Sequence, residues 1–170
     1  MTTPVQTQLM TSLAEIRSFN PCASGWKDIL AGQGKIEADE VLFPLVDCLN
    51  SNSIKDVCWL LGKRKKEIQI VVRFARMCAS SVASLKYPAH AWVAAAQRHA
   101  ARADTYASTS TSAGTSAVVA DYAANAAHSS GHAYAYAAAH AGASAAYAYK
   151  QQIEKNKQFL VQCINEFPQA

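Results

Sequence analysis

Charge is what this sequence has least of, and its absence is uneven. Of 170 residues, 16% are charged, against an average of about 25%. Between Asp104 and Lys150 the only formal charge is Asp121. A helix facing water carries a polar, usually charged, face. A helix without one is surrounded by protein on most sides, inside a fold or at an interface. Strand signals are also missing: nowhere do β-branched and polar residues alternate over four or more positions between turn signals. Five cysteines, Cys22, Cys48, Cys58, Cys78 and Cys163, have no short paired spacing, which argues against a disulfide scaffold and reads as reduced, mostly buried thiols. The first residues lack the basic and apolar runs of a secretory signal, so the expected location is the cytoplasm. Tyr122 to Tyr149 is uncharged, yet it lacks the Leu, Ile, Val and Phe that drive a membrane span and contains three histidines and two glycines. A net charge of +4 is too mild to argue for nucleic acid on its own.

Alanine fills the space that charge leaves: from Ala89 to Ala148 it accounts for 26 of 60 residues. Helical signals run along the whole chain. Val5, Leu9, Leu13 and Ile16 share a helical face over Thr2–Phe19. Asn20-Pro21 reads as an N-cap followed by a first-turn proline, opening a helix with Trp26, Ile29 and Leu30 that ends at Gly32 or Gly34. Pro44 starts a short segment, Leu45–Asn50. Ser53 and Asp56 have capping-box spacing before Val57–Leu61. From about Lys66 to Leu85, Ile70, Phe74, Met77, Cys78 and Val82 make an apolar stripe opposite Arg73 and Arg76. A further helix spans Pro88 to about Tyr106. The expectation is one all-α domain of six or seven helices over residues 1–170: short helices in 1–62, two amphipathic helices in 63–107, a Ser/Thr-rich loop at 108–116, and one long Ala/Tyr/His-rich helix over 117–167.

That last helix sorts into two faces. Asp121, Asn125, His128, His132, Tyr136, His140 and Tyr147 share one arc. The other carries Ala123, Ala127, Ser130, Ala137 and Ala141, with Gly131 and Gly142 three turns apart. A glycine costs roughly 1 kcal/mol inside a helix, so two of them predict a tight helix–helix ridge. The partner expected for it is the helix at Ala91, Ala94, Ala95 and Ala101, with a second copy of the chain as the alternative.

Three constellations bear on chemistry. His128 and His132, at i and i+4, can present two imidazoles to one ion, but Asp121 and His140 are too far along the helix to join them. His90 or His99 from the neighbouring helix would have to complete the site. The preferred reading is hydrogen-bonded histidines and no cofactor, with His128 and His132 kept as weak metal candidates. Ser129, Ser130, His128 and Asp121 include the residue types of a nucleophilic triad, but adjacent helix positions point apart, so no catalytic residue is assigned. Lys63, Arg64, Lys65 and Lys66, extended by Arg73 and Arg76, form the densest charge cluster and the candidate partner-binding surface. It is poor in interleaved aromatics, which favours an acidic protein over nucleic acid. Trp26, Trp59 and Trp92 are expected in the core.

Two segments carry a resemblance. Glu15-Ile16-Arg17 through Asn20-Pro21-Cys22-Ala23-Ser24-Gly25-Trp26, with Leu49–Asn52 and Val57–Leu61, resembles small uncharacterised proteins of phages and prophages. Ile68–Ala75 with Ser130-Gly131-His132-Ala133 and Ala145–Ala148 resembles Ala-rich helical immunity proteins. The resemblance implies a small non-catalytic binder, monomeric or dimeric, working in a bacterial cytoplasm. Its first expected role is blocking a host defence protein, as anti-CRISPR proteins do. The alternatives are neutralising a toxin and, last, a metal-dependent enzyme.

Overall fold

A computed structural model describes residues 8–85, 90–109 and 113–167; the side chains of Lys65, His90 and residues 113–115 lie outside the description. Seven α-helices form among these residues: α1 (Leu13–Ser18), α2 (Ala23–Gly32), α3 (Ile54–Lys63), α4 (Ile68–Val82), α5 (His90–Thr109), α6 (Ala113–His140) and α7 (Ala145–Asn165). Short 3₁₀ turns cover Leu45–Asn50 and Lys65–Glu67. The only strands described are β1 (Met10–Thr11) and β2 (Phe43–Pro44), paired antiparallel with Met10 opposite Pro44. The fold is the expected helical bundle, with the short helices first and the long ones last.

The largest correction is that residues 117–167 do not form one helix. α6 stops at His140, Gly142 adopts a left-handed φ of 74°, and Ser144 caps α7 by accepting from the Tyr147 N–H. Gly142 is therefore a turn residue, where the absence of a Cβ permits the backbone to reverse. The expected loop at 108–116 also shrinks: α5 runs to Thr109 and α6 begins at Ala113. Ser108 and Thr109 satisfy their hydroxyls on the Thr105 carbonyl, which lets polar residues continue the helix.

Near the N-terminus the helix expected over Thr2–Phe19 is reduced to α1, because Ser12 caps at that point and Met10–Thr11 pairs with β2; Val5 lies outside the described residues. Asn20 does not cap α2. It takes a φ of 55° and follows the C-cap of α1, leaving Cys22 as the α2 cap, its Sγ accepting from the Gly25 N–H at 3.4 Å. The Ser53–Asp56 capping box forms as read.

α6 is the centre of the bundle, packing against α3, α4, α5 and α7. Its buried residues are small, Ser116, Ala120, Ala123, Ala126, Ala127, Ser129, Ser130, Gly131 and Ala133, with Val119 the exception. Close approach is visible at two glycines. A Cβ on Gly62 of α3 would lie 2.8 Å from both the Ala120 Cβ and the Ser116 carbonyl oxygen of α6. A Cβ on Gly131 would lie 2.8 Å from the Tyr149 ring of α7. The small-residue ridge thus faces α3 and α7 at its closest points. α5 packs on both α4 and α6, with Ala96, Ala100 and Ala103 buried, while Ala91 and Ala101 are exposed.

Candidate functional site

Three groups of side chains stand out once the bundle is assembled. The first is an aromatic–imidazole cluster where α5, α6 and α7 meet. His128 and His132 lie on consecutive turns of α6 with their Nε2 atoms 3.1 Å apart. The Tyr149 hydroxyl of α7 is 3.2 Å from His128 Nδ1, and the Trp92 ring of α5 stacks on His132 at 4.5 Å. Gly131 makes room for this arrangement, since a side chain there would displace the Tyr149 ring. The histidine face of α6 is therefore an outer face, partly covered by neighbours. His128 and Tyr136 are exposed, His132 is half-buried, and Trp92 is at the surface with 38% exposure instead of in the core. Burial, and then the adjacent His128, push the His132 pKa below its usual value.

His99 does not join this pair. It sits against Tyr122 at 5.9 Å, with Tyr106 stacked on the other ring and the Arg102 guanidinium 5.6 Å from the Tyr122 centroid. Burial, with Arg102 and Arg98 behind it, lowers the His99 pKa, and its Nδ1 is buried without a hydrogen-bond partner. The His140 ring lies 4.3 Å from that of Tyr136 at a 49° tilt, two turns away from His132. The His90 side chain lies outside the described residues. Among the described residues no three metal-ligating side chains converge.

The serines expected near His128 turn inward. Ser130 Oγ donates to the Ala127 carbonyl at 2.8 Å and accepts from Asn156 Nδ2 at 2.8 Å. Asn156 also donates to the Ala127 carbonyl, and Gln152 donates to Asn156 Oδ1 and to Ser81 Oγ. The Tyr134 hydroxyl donates to the Ser81 carbonyl. This buried network ties α4, α6 and α7 together with its members satisfied. Ser130 and His128 are thereby held on different sides of α6. Asn156 and Gln152 were invisible as network members in the sequence, where they sit among the charges that mark α7 as amphipathic.

The basic cluster does not form one open surface. Arg64 turns inward, its Nε 3.1 Å from Glu15 Oε1 and its Nη1 buried without a partner. Arg73 pairs with Glu166 and Arg76 with Asp104. Gln162 and Arg73 hold the Glu166 carboxyl below its usual pKa, and Asp104 raises that of Arg76. Both arginines lie opposite the apolar stripe of α4, as read, and are exposed, but α5 and the end of α7 supply their counter-charges. Lys63 lies over the Trp59 ring at 5.6 Å, Lys66 is exposed, and the Lys65 side chain is outside the described residues.

The second feature is the segment 33–42. The turn after α2 closes with Gly34 at a φ of 62° and with the Lys35 N–H donating to the Leu30 carbonyl at 2.9 Å. Midway, the Asp39 carbonyl accepts from the Ala14 N–H of α1, and the segment then runs into β2. From this anchored frame Ile36 projects with 96% exposure, Val41 with 61% and Leu42 with 65%. Glu37 and Glu40 flank them, and Asp39 pairs with Lys35 at 2.8 Å. Sequence reading passed over these residues because they belong to no periodic stripe. An apolar triplet in a helix-free, acid-flanked stretch was the available signal.

The third feature is a cavity of about 300 Å³ between α1, α2 and α3, lined by Ile16, Ile29, Val57, Trp59 and Leu60, with Cys22 at its edge. Hydrogen bonds from Ser24 and then from the Gly25 N–H lower the Cys22 pKa. Burial pushes Cys48 up to about 12 and Cys163 up to about 11, and raises Cys58 and Cys78 as well. Four of the thiols are thus the buried, reduced groups expected, whereas Cys22 is exposed.

Among the described residues no helix is long and apolar enough to cross a membrane. No protein-family model matches the chain, and neither a curated protein nor a solved structure is significantly similar to it.

Proposed function

We propose that this protein is a non-enzymatic binder that acts by occupying the surface of another protein, and that it does so through the 33–42 segment. The observation that carries the reading is the exposure of Ile36, Val41 and Leu42 on a segment anchored at α1, at the α2 terminus and at β2. Single exposed apolar residues are ordinary, but three within seven positions, rimmed by polar groups, have the composition of an interaction site. Glu37 and Glu40 give it a negative rim, which suits a basic partner surface and steers association toward one. The basic side chains first favoured are the weaker candidates, since Arg64, Arg73 and Arg76 are engaged by the chain's own carboxylates.

The role that agrees best with the resemblance carried by Glu15–Trp26 and Val57–Leu61 is inhibition of a host defence protein, of the anti-CRISPR type, in the bacterial cytoplasm. Nucleic-acid-binding effectors of that kind present the basic surfaces that this segment would fit. The test is affinity capture from a bacterial host lysate, with wild type and an Ile36→Asp/Leu42→Asp variant run side by side. The expected result is a nuclease or CRISPR effector retained by wild type and lost by the variant. Retention by wild type and variant alike removes the 33–42 segment from the reading. Recovery of a toxin in place of a defence protein transfers the role to immunity.

A further inference from the structure

We propose that His128 and His132 form a surface site for one divalent late-transition-metal ion, held by the two Nε2 atoms and completed by water. Their separation is 3.1 Å. With metal–nitrogen bonds of about 2.0–2.1 Å, two ligands on one ion lie about 2.9 Å apart at a 90° angle and about 3.3 Å apart at a tetrahedral angle. The pair already lies between these values, so an ion can replace the hydrogen bond between the rings with little side-chain movement.

Both rings are also held from outside. The Tyr149 hydroxyl sits 3.2 Å from His128 Nδ1, the nitrogen that carries the proton when Nε2 binds a metal. The phenol oxygen would accept that proton's hydrogen bond, an orienting role that metal-bound histidines commonly require. Trp92 stacks on His132 with ring planes 21° apart. These supports come from α5 and α7, two helices other than the one that carries the pair, so the geometry is a product of the tertiary fold and not of i, i+4 spacing alone. Imidazole donors select zinc, nickel and copper over magnesium or calcium. No third protein ligand converges among the described residues. The ion is therefore exchangeable, and its remaining coordination positions open to solvent on the exposed side of His128.

The test uses the untagged full chain, titrated calorimetrically with Zn²⁺, Ni²⁺ and Cu²⁺. The expected outcome is one ion per chain, with Cu²⁺ tightest. Both His128→Ala and His132→Ala should abolish saturable binding, and Tyr149→Phe should weaken it by about 10-fold, the lower end of the loss seen for outer partners. A second measurement avoids variants altogether: on Zn²⁺ addition the ring protons of His128 and His132 should shift in the NMR spectrum, while those of His99 and His140 stay in place. Absence of saturable binding to wild type, saturable binding that persists in the double His128→Ala/His132→Ala chain, or ring shifts centred on other histidines would each overturn the proposal. Affinity unchanged in Tyr149→Phe would remove the orienting role of the phenol.

Discussion

Between Leu9 and Val82 the buried positions hold mostly Leu, Ile, Val, Phe and Cys; between Ala96 and Ala133 they hold Ala, Ser and Gly, with Val119 the one larger side chain. The first region closes its core by filling space with side chains. The second closes it with small side chains that let neighbours come near, the Gly62 backbone against Ala120 and Ser116, and the Tyr149 ring against Gly131. Beside the first region lie the 300 Å³ cavity at Trp59 and Leu60 and the irregular 33–42 connection on which Ile36, Val41 and Leu42 are exposed. Close approach cannot rely on large apolar area, so it adds a hydrogen-bonded network through Asn156, Gln152 and Ser130. Apolar burial is worth about 25 cal/mol per Å², and an alanine offers little of it. A satisfied polar network compensates in register and specificity what the small side chains lack in area.

The contrast can be broken chemically first, where the expected effect is largest. Thiol labelling under native conditions should modify one cysteine quickly, Cys22, and the other four only on unfolding. Thiolate character and access both favour Cys22, and burial disfavours Cys48, Cys58, Cys78 and Cys163. Mass spectrometry of the labelled peptides reads this directly, and fast labelling of Cys58 or Cys78 would mean that the large-residue core opens.

Opposite substitutions should hurt the two regions. Leu61→Ala removes a fully buried side chain and should cost about 2–5 kcal/mol in urea unfolding. Ala123→Leu, fully buried on α6, changes helix propensity little and slightly for the worse, and should cost about 1–3 kcal/mol through overpacking. If Ala123→Leu is neutral, α6 is not packed through close approach.

Acid should act on the Ala-rich region. His99 and His132 have folded pKa values below their unfolded ones, so as the pH falls the unfolded state takes up protons before the folded state does. Their contribution is complete above the unfolded value of about 6.5 and declines below it, toward the folded values. The melting temperature should therefore drop between pH 7 and pH 5, and His99→Gln should make that drop smaller. The smallest effect is expected from reversing Arg73 and Arg76 to Glu. Both pairs are exposed and screened by solvent, so the melting temperature should barely move. A larger loss would show that the α4 arginines clamp α5 and α7 in a way that solvent-screened pairs do not.

Periodicity exposed much of this structure in advance. Ile70, Phe74, Cys78 and Val82 point inward on α4 as their spacing requires, and the charge-free stretch does occupy the middle of the bundle. What periodicity could not supply is punctuation that depends on conformation. Asn20 and Gly142 read as a cap and a ridge residue, but both take left-handed backbone angles and end helices. Nor could it supply partners distant in sequence. Glu166 for Arg73, Asp104 for Arg76 and Tyr149 for His128 are each chosen by how helices return against one another.

Wrapping α6 on four sides also has a consequence in time. The inner face of its stretch from Val119 to Ala133 is buried among α3, α4, α5 and α7, with the Gly62 and Tyr149 contacts holding α3 and α7 against it. Proton exchange along α6 should consequently proceed through global opening of the chain. The 33–42 segment, anchored by a few backbone bonds, can exchange through local opening. A binding event that orders only that segment would leave the exchange clock of α6 at the rate of whole-molecule unfolding, so deuterium uptake can separate a partner that grips the segment from one that stabilises the bundle.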